Sequence, residues 1–305
     1  MAAACVLFAV LSCVFAVQAA PSPLSRDATT SITPLSASQI STYTTYAYFA
    51  SIAYCQSAAV SSWTCGVNCA GNSDFITTAV GGDGDAVERY YVGYNPPSQE
   101  VIVAHQGTNF SLLIPTLTDL DFFLTPLVSN LYPNVPLDVL VHNGFLAAQE
   151  KAATTILAAV QSTMATYSTK KVTLIGHSLG AAISLLDSIY LPLHLPHSTI
   201  FKTVVFGLPR VGNGAFADYV DSVAHLSHVN NKEDPVPILP PRLLGFVHPD
   251  GEVHIQDSGV YDNCPGHDNT SPLCSTGDVL TILQGNTTNH AGPYAGVEMG
   301  CSLST

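Results

Sequence analysis

Gly176-His177-Ser178-Leu179-Gly180 sets one hydroxyl between two glycines, and the flanks give that pattern its meaning. Lys171 to Ile175 (KVTLI) reads as a short buried strand, and Ala181 to Tyr190 (AAISLLDSIY) as the opening of a helix. A serine at such a strand–turn–helix corner, the nucleophile elbow, is forced into a strained backbone conformation that only small neighbours permit. The chemistry implied is acyl transfer through Ser178.

A serine hydroxyl is a poor nucleophile at neutral pH. It needs a histidine as base, and the imidazole needs a carboxylate to fix its tautomer and stabilise its charge. For an elbow serine the partners follow in the order Ser, Asp or Glu, His, so the search runs beyond residue 178. Asp187 falls inside the helix leaving the elbow, and Asp218 and Asp221 in the next one, so all three are expected on solvated faces. Asp234 follows a strand ending near Asn230 and precedes Pro235-Val236-Pro237, a rigid loop at a strand's carboxyl end, where ligand sites collect in open α/β sheets. For the base, position alone leaves His248, His254, His267 and His290 open. His254 alternates with Val253 and Ile255 in a strand, His267 lies between two cysteines, and His290 lies in a polar loop near the terminus. His194-Leu195-Pro196-His197 is a poor metal motif, at a proline-broken helix end with no third ligand nearby. No metal and no cofactor is expected.

The elements that must hold these residues alternate. A helix is expected over Ser36–Cys55, and strands over Val87–Tyr94 and Glu100–His105 around the Asn95-Pro96-Pro97-Ser98 turn. Pro115 to Pro136 reads as irregular, and a single long helix as running from Gly144 to about Tyr167. Further strands are expected over Lys202–Gly207, Leu226–Asn230 and Glu252–Asp257, with a helix over Gly214–Val223. Strands alternating with helices mean a mostly parallel central sheet covered by helices, and with the elbow this predicts an α/β-hydrolase fold in one domain over residues 36–305.

The first residues carry no charge and hold a short apolar run, Val6 to Val17, followed by Gln18-Ala19-Ala20. That is a secretory leader over residues 1–19, too brief for a membrane span, with a flexible segment over 20–35. Six of the eight cysteines remain after it: Cys55, Cys65, Cys69, Cys264, Cys274 and Cys301. An even number in an exported chain suggests three disulfides among fifteen possible pairings. Nine basic against 22 acidic residues, a formal charge of -13, repel phosphate backbones and exclude nucleic acid as a partner. Only 10% of residues are charged, leaving an exterior that tolerates contact with oil. Sequons at Asn109, Asn269 and Asn286 are glycosylation candidates.

Gly-His-Ser-Leu-Gly-Ala-Ala at 176–182, Asn-Lys-Glu-Asp-Pro-Val-Pro at 231–237, Val-His-Asn-Gly-Phe at 141–145, Ala-His-Gln-Gly-Thr at 104–108, Thr-Asp-Leu-Asp-Phe-Phe at 118–123, Gly-Leu-Pro-Arg-Val-Gly-Asn at 207–213, Cys-Pro-Gly at 264–266 and Asn289-His290 with Tyr294 resemble the fungal class 3 lipases. The likeness is greatest to secreted basidiomycete members and runs from about Ser36 to Cys301. It implies Ser178 as nucleophile, His290 as general base and acid, and Asp234 as its orienter. It also implies an oxyanion hole from the backbone N–H groups of Leu179 and Thr108. Gly107 fits, since it lets the main chain approach the developing charge. Two positions depart from the family pattern: Asn289 stands where Asp is common, and Gln106 where many relatives carry Arg.

The resemblance further implies pairing of Cys55 with Cys301, Cys65 with Cys69 and Cys264 with Cys274. It implies a lid over residues 109–118, whose apolar Phe110, Leu112, Leu113, Ile114 and Leu117 would cover an acyl groove or meet lipid. The expected activity is that of a secreted, monomeric triacylglycerol lipase taking acylglycerols at an oil–water interface, without a transmembrane segment. A feruloyl or general carboxylesterase is the alternative reading, and a non-catalytic binder of hydrophobic ligands a remote one.

Overall fold

Val101 and Val103 of strand Glu100–His105 face one apolar layer while Ile102 and Ala104 face another, and all four are wholly buried. Strands Lys171–His177 and Ile200–Phe206 divide the same way: Val172, Leu174 and Val205 on one side, Ile175, Val204 and Phe206 on the other. A strand apolar on both faces needs cover on both, which helical crossovers supply. Helices Asn143–Glu150, Ala153–Tyr167 and Leu179–His194 form the first layer. Helix Ala37–Ile52, begun by a capping box between Ser36 and Gln39, forms the second.

The structure, a computed structural model, describes residues 31–108, 123–128 and 130–301. The expected leader over 1–19, the sequon at Asn109 and the expected lid residues Phe110, Leu112, Leu113, Ile114 and Leu117 lie outside them. Among the described residues one sheet has nine strands, in the order Thr33–Pro34, Tyr261–Cys264, Glu252–Ile255, Leu226–Asn231, Ile200–Phe206, Lys171–His177, Glu100–His105, Tyr90–Asn95 and Ile76–Gly81. The five strands from Glu252–Ile255 to Glu100–His105 are parallel, and the flanking ones pair antiparallel. This is the α/β-hydrolase architecture. A small antiparallel sheet of Phe246–Val247, Gly212–Asn213, Leu140–His142 and Leu124–Pro126 adjoins it. No helix among the described residues is long and apolar enough to cross a membrane.

Several elements differ from expectation. The long helix over 144–167 is two helices, because Ala152 adopts φ -118 and its amide donates to the Gln149 carbonyl, three residues back rather than four. The first strand starts at Tyr90 rather than Val87, since the Asp83 carboxylate accepts from the amides of Asp85 and Val87 and holds a turn there. Strands Ile76–Gly81 and Tyr261–Cys264 carry too few alternating apolar residues to stand out. Within the segment expected to be flexible, Thr33–Pro34 pairs with Asn263 and Asp262. Disulfides join Cys55 to Cys301, Cys65 to Cys69 and Cys264 to Cys274.

Candidate active site

Strand Lys171–His177 ends at the sheet's carboxyl edge, and the chain must reverse at once into helix Leu179–His194. Ser178, at the corner, takes φ 59 and ψ -127, a region that non-glycine residues rarely occupy and that surrounding contacts must hold. Its amide is fixed by the Phe206 carbonyl at 3.0 Å, the end of the neighbouring strand. The two elbow glycines are sterically required. A Cβ on Gly176 would strike the Gly180 carbonyl, and one on Gly180 the carbonyls of His105 and Gln106. Leu179 opens the helix, where first-turn amides have no intrahelical acceptor and the helix dipole is positive.

On the far side of that neighbouring strand, Leu226–Asn231 also ends at the carboxyl edge, and Asp234 follows in its loop. One Asp234 oxygen accepts from the Val236 amide at 2.9 Å, and the other accepts from Nδ1–H of His290 at 2.7 Å. Both side chains are fully buried. Fifty-six residues separate the pair, so the terminal segment has to be tied down. Asn231 does this, its amide group donating to the carbonyls of Asn289 (2.8 Å) and Gly292 (2.9 Å), while the Asn286 amide donates to the Glu233 carbonyl at 2.7 Å.

The His290 carbonyl accepts from the Tyr294 hydroxyl at 3.2 Å and lies 2.7 Å from Nε2 of His177. With Nδ1 of His177 accepting from the Tyr54 hydroxyl at 2.6 Å, the network assigns the proton to its Nε2. Burial, and then repulsion from His290, hold the His177 pKa well below its ordinary value. His177 is therefore a neutral brace beneath the His290 loop. The His290 ring crosses Gly207, at φ 55, where a Cβ would stand 2.8 Å from its Cε1. Gly207 follows Phe206, the residue that fixes the Ser178 amide, so imidazole and serine hang from the same strand end.

The main chain at Gly107 packs against the elbow. A Cβ there would lie 2.9 Å from Cβ of Ser178 and 2.5 Å from the His177 carbonyl, so Thr108, one residue on, stands directly beside the elbow. Gln106, expected to depart from the family pattern, turns its carboxamide oxygen to Arg89, whose backbone and guanidinium donate at 3.3 and 3.2 Å.

Other titratable residues lie elsewhere. Asp187, expected on a solvated face, is fully buried and accepts from Nε2–H of His105 at 2.8 Å and from Gln149 at 2.7 Å. Asp221 accepts from the Asp250 amide and pairs with His267 at 2.8 Å. His254 is bound by the carbonyls of Leu273 and Lys232, and His248 by that of Pro237. His194 meets the Leu131 carbonyl, and His197 is exposed. Glu252, Cys264 and Cys274 converge with metal-like spacing among the described residues, but the two sulfurs are bonded to each other. Asn269 spends its side chain on Pro265 and Ser271, and Asn286 is exposed. Sequence reasoning missed Tyr54 and Asn231. Tyr54 gives no local signal, whereas Asn231 opens the Asn-Lys-Glu-Asp run already tied to the site.

Against known proteins, the profile of the family described as Lipase (class 3) matches residues 102–244. The secreted mono- and diacylglycerol lipase MDL2 of Malassezia globosa is 36% identical over 238 residues, 76% of this chain and 75% of that one. Secreted mono- and diacylglycerol lipase 3 of Gibberella zeae is 33% identical over 229 residues, 72% and 70% of the two chains. The triacylglyceride lipase of Rhizomucor miehei superposes with a TM-score of 0.76 at 26% identity, covering 89% of this chain and 100% of that one. Lipase II of Rhizopus niveus does so with a TM-score of 0.76 at 26% identity, covering 89% and 99%. The elbow, the sheet that carries it and a likeness extending over about three quarters of both sequences agree: the chain belongs to the class 3 lipases.

Proposed function

We propose that this class 3 lipase is a secreted serine carboxylester hydrolase that cleaves acylglycerols through an acyl-enzyme. Ser178 is the nucleophile, His290 the base and acid, and Asp234 its orienter. The 2.7 Å bond between His290 and Asp234, buried beside the elbow, carries the assignment. With Nδ1 committed to Asp234, Nε2 is the nitrogen that takes the proton as Ser178 Oγ bonds to the ester carbon. The backbone N–H groups of Thr108 and Leu179 receive the oxyanion. Collapse of the tetrahedral intermediate breaks the ester C–O bond, and the alcohol leaves with that proton. Water then repeats the sequence against the acyl-enzyme, and the carboxylic acid departs.

The substrate class has separate support. The curated relatives at 33–36% identity are named mono- and diacylglycerol lipases, and the structural neighbours at 26% triacylglyceride lipases. The higher identity favours partial glycerides. Leu243 (95% exposed), Leu280 (68%) and Leu283 (97%) stand on segments that flank the Asp234 loop, where Gly285 packs against Pro235. Exposed leucines grouped beside a site suit contact with lipid. A leader over residues 1–19 and a single catalytic unit from residue 36 onward fit export.

The test uses a fluorogenic alkyl phosphonate on the intact protein, with release of fatty acid followed on emulsified mono-, di- and triolein and on p-nitrophenyl butyrate. One phosphonate bound per chain, lost in Ser178→Ala together with all esterolysis, is expected. Full esterolysis by Ser178→Ala would overturn the assignment. A rate on butyrate above that on every emulsion would point to a general esterase.

A further inference from the structure

His105 and Asp187 form a second buried histidine–aspartate pair that no step of the reaction uses, with side chains 2% and 1% exposed and 2.8 Å between Nε2 and Oδ2. The pair does not stand alone. The other Asp187 oxygen accepts from Gln149 Nε2 at 2.7 Å, and Gln149 Oε1 accepts from the Tyr132 hydroxyl at 2.9 Å. All four side chains are buried in the layer between strand Glu100–His105 and helices Asn143–Glu150 and Leu179–His194.

The elements joined are informative. His105 is the last residue of the strand that leads directly into Gln106-Gly107-Thr108. Asp187 lies in the helix that begins at Leu179. These two elements carry the two amides assigned to the oxyanion hole. They also touch at their ends, where Gly180 abuts the carbonyls of His105 and Gln106 and Gly107 abuts Ser178. A glycine contact prevents closer approach, but it does not prevent sliding or rotation of the helix along the strand. A directed bond to Asp187, two turns inside the helix, does both.

Packing does not require a charge here. The same interface is filled by Val103, Leu174, Ala182, Leu185 and Leu186. Removing a carboxylate from water is costly, and apolar replacements of buried ion pairs are often neutral or stabilising. An acceptor-only carboxylate receiving two N–H donors defines the helix position more narrowly than apolar contacts do. Oxyanion donors act only when held to within about 0.5 Å of their productive place.

We infer that the His105–Asp187 bond, braced by Gln149 and Tyr132, is a positioning device that fixes the Thr108 amide relative to the Leu179 amide and so sets the oxyanion hole. The inference rests on the function proposed above. His105 and Asp187 touch no substrate and move no proton. They act through the two backbone donors, so their loss falls on stabilisation of the tetrahedral intermediate rather than on binding of the ester.

The experiment compares Asp187→Asn and His105→Gln with the unmodified protein on p-nitrophenyl butyrate, using phosphonate titration to count active sites. Inhibition by an alkylboronic acid, which forms a tetrahedral adduct on the nucleophile, is measured alongside. Asp187→Asn is expected to lower kcat per titrated site by about ten- to a hundredfold, the penalty of a sub-ångström to 1 Å misplacement. KM should stay within about twofold, and the boronate Ki should rise in proportion to the kcat loss. His105→Gln, whose amide can replace the Nε2 donor, should retain most of the rate. Unchanged kcat and boronate Ki in Asp187→Asn, with only a lower melting temperature, would overturn the inference. If Asp187→Asn does not fold, Gln149→Leu removes one of the two bonds holding Asp187, and an unaltered kcat there has the same consequence. Failure of the phosphonate to label the unmodified protein would instead sink the functional assignment itself.

Discussion

Two buried histidine–aspartate pairs, His290 with Asp234 at 2.7 Å and His105 with Asp187 at 2.8 Å, share chemistry and bond length yet have different surroundings. The first is held by loops at the carboxyl edge of the sheet, its ring lying across Gly207 beside the strand end that anchors Ser178. The second joins the end of a strand to the interior of a helix, with Gln149 as a further donor. The bond therefore does not make a histidine a base. On the proposed assignment, placement on a loop beside the elbow does, and the same bond placed inside packed elements fixes their relative position.

Asp234→Asn should break that comparison most sharply. It keeps the shape but lets the imidazole adopt the wrong tautomer, with an expected loss of about 10⁴-fold in kcat. Asp187→Asn should remain within about a hundredfold. Rates on p-nitrophenyl butyrate, normalised to phosphonate-titrated sites, measure both. Losses of equal size would show that the two pairs do not divide into proton relay and brace.

The second contrast lies in what restrains each pair. His105 and Asp187 belong to the central sheet and to a helix buried from Gly180 to Leu191. His290 lies on a short terminal segment held by Asn231, by the Met299 amide on the Ala291 carbonyl, and by the Cys55–Cys301 disulfide spanning 246 residues. Removing a native bridge typically costs about 2–5 kcal/mol. In a Cys55→Ser/Cys301→Ser variant, amides over 286–300 should exchange faster and esterolysis should fall at temperatures where amides over 100–105 stay protected. Hydrogen exchange read beside activity checks this. Simultaneous loss of protection in both regions would mean that the terminal segment is not a separate unit.

The same contrast explains what the sequence disclosed. Ser178 was legible because its elbow is local: two glycines, a strand before and a helix after. The parallel centre of the sheet was legible because Glu100–His105 and Lys171–His177 are apolar on both faces. Order and position only narrow the field around Asp234 and His290, and family likeness is what singles them out, since their pairing spans 56 residues and leaves no periodic trace. Asp187 is buried where its position in sequence suggests a solvated face, for a related reason. In helix Leu179–His194 every residue from Gly180 to Leu191 is buried, so the helix has no polar side for an aspartate to occupy. Its partners His105 and Gln149 lie 82 and 38 residues away.

The smallest effect expected concerns a third set of buried histidines that have carbonyls where the other two pairs have carboxylates. His228 and His248 stack with ring centroids 5.0 Å apart, and their Nε2 atoms meet the carbonyls of Pro249 (3.3 Å) and Pro237 (2.7 Å). Burial lowers the pKa of both and, with His228 alongside, pushes His248 down to about 3. The unfolded chain binds a proton at each near pH 6.5, and the folded chain resists it. Below that pH the unfolded state therefore carries more protons, and stability falls as pH decreases. The contribution is intact above about pH 6.5 and is lost progressively toward the folded value near 3. His248→Gln keeps a donor for the Pro237 carbonyl but cannot ionise, so its urea midpoint should decline less steeply between pH 6.5 and 4 while kcat at pH 7 is unchanged. Parallel slopes would move the acid lability to the other buried imidazoles that burial lowers, His142, to about 4, and His177.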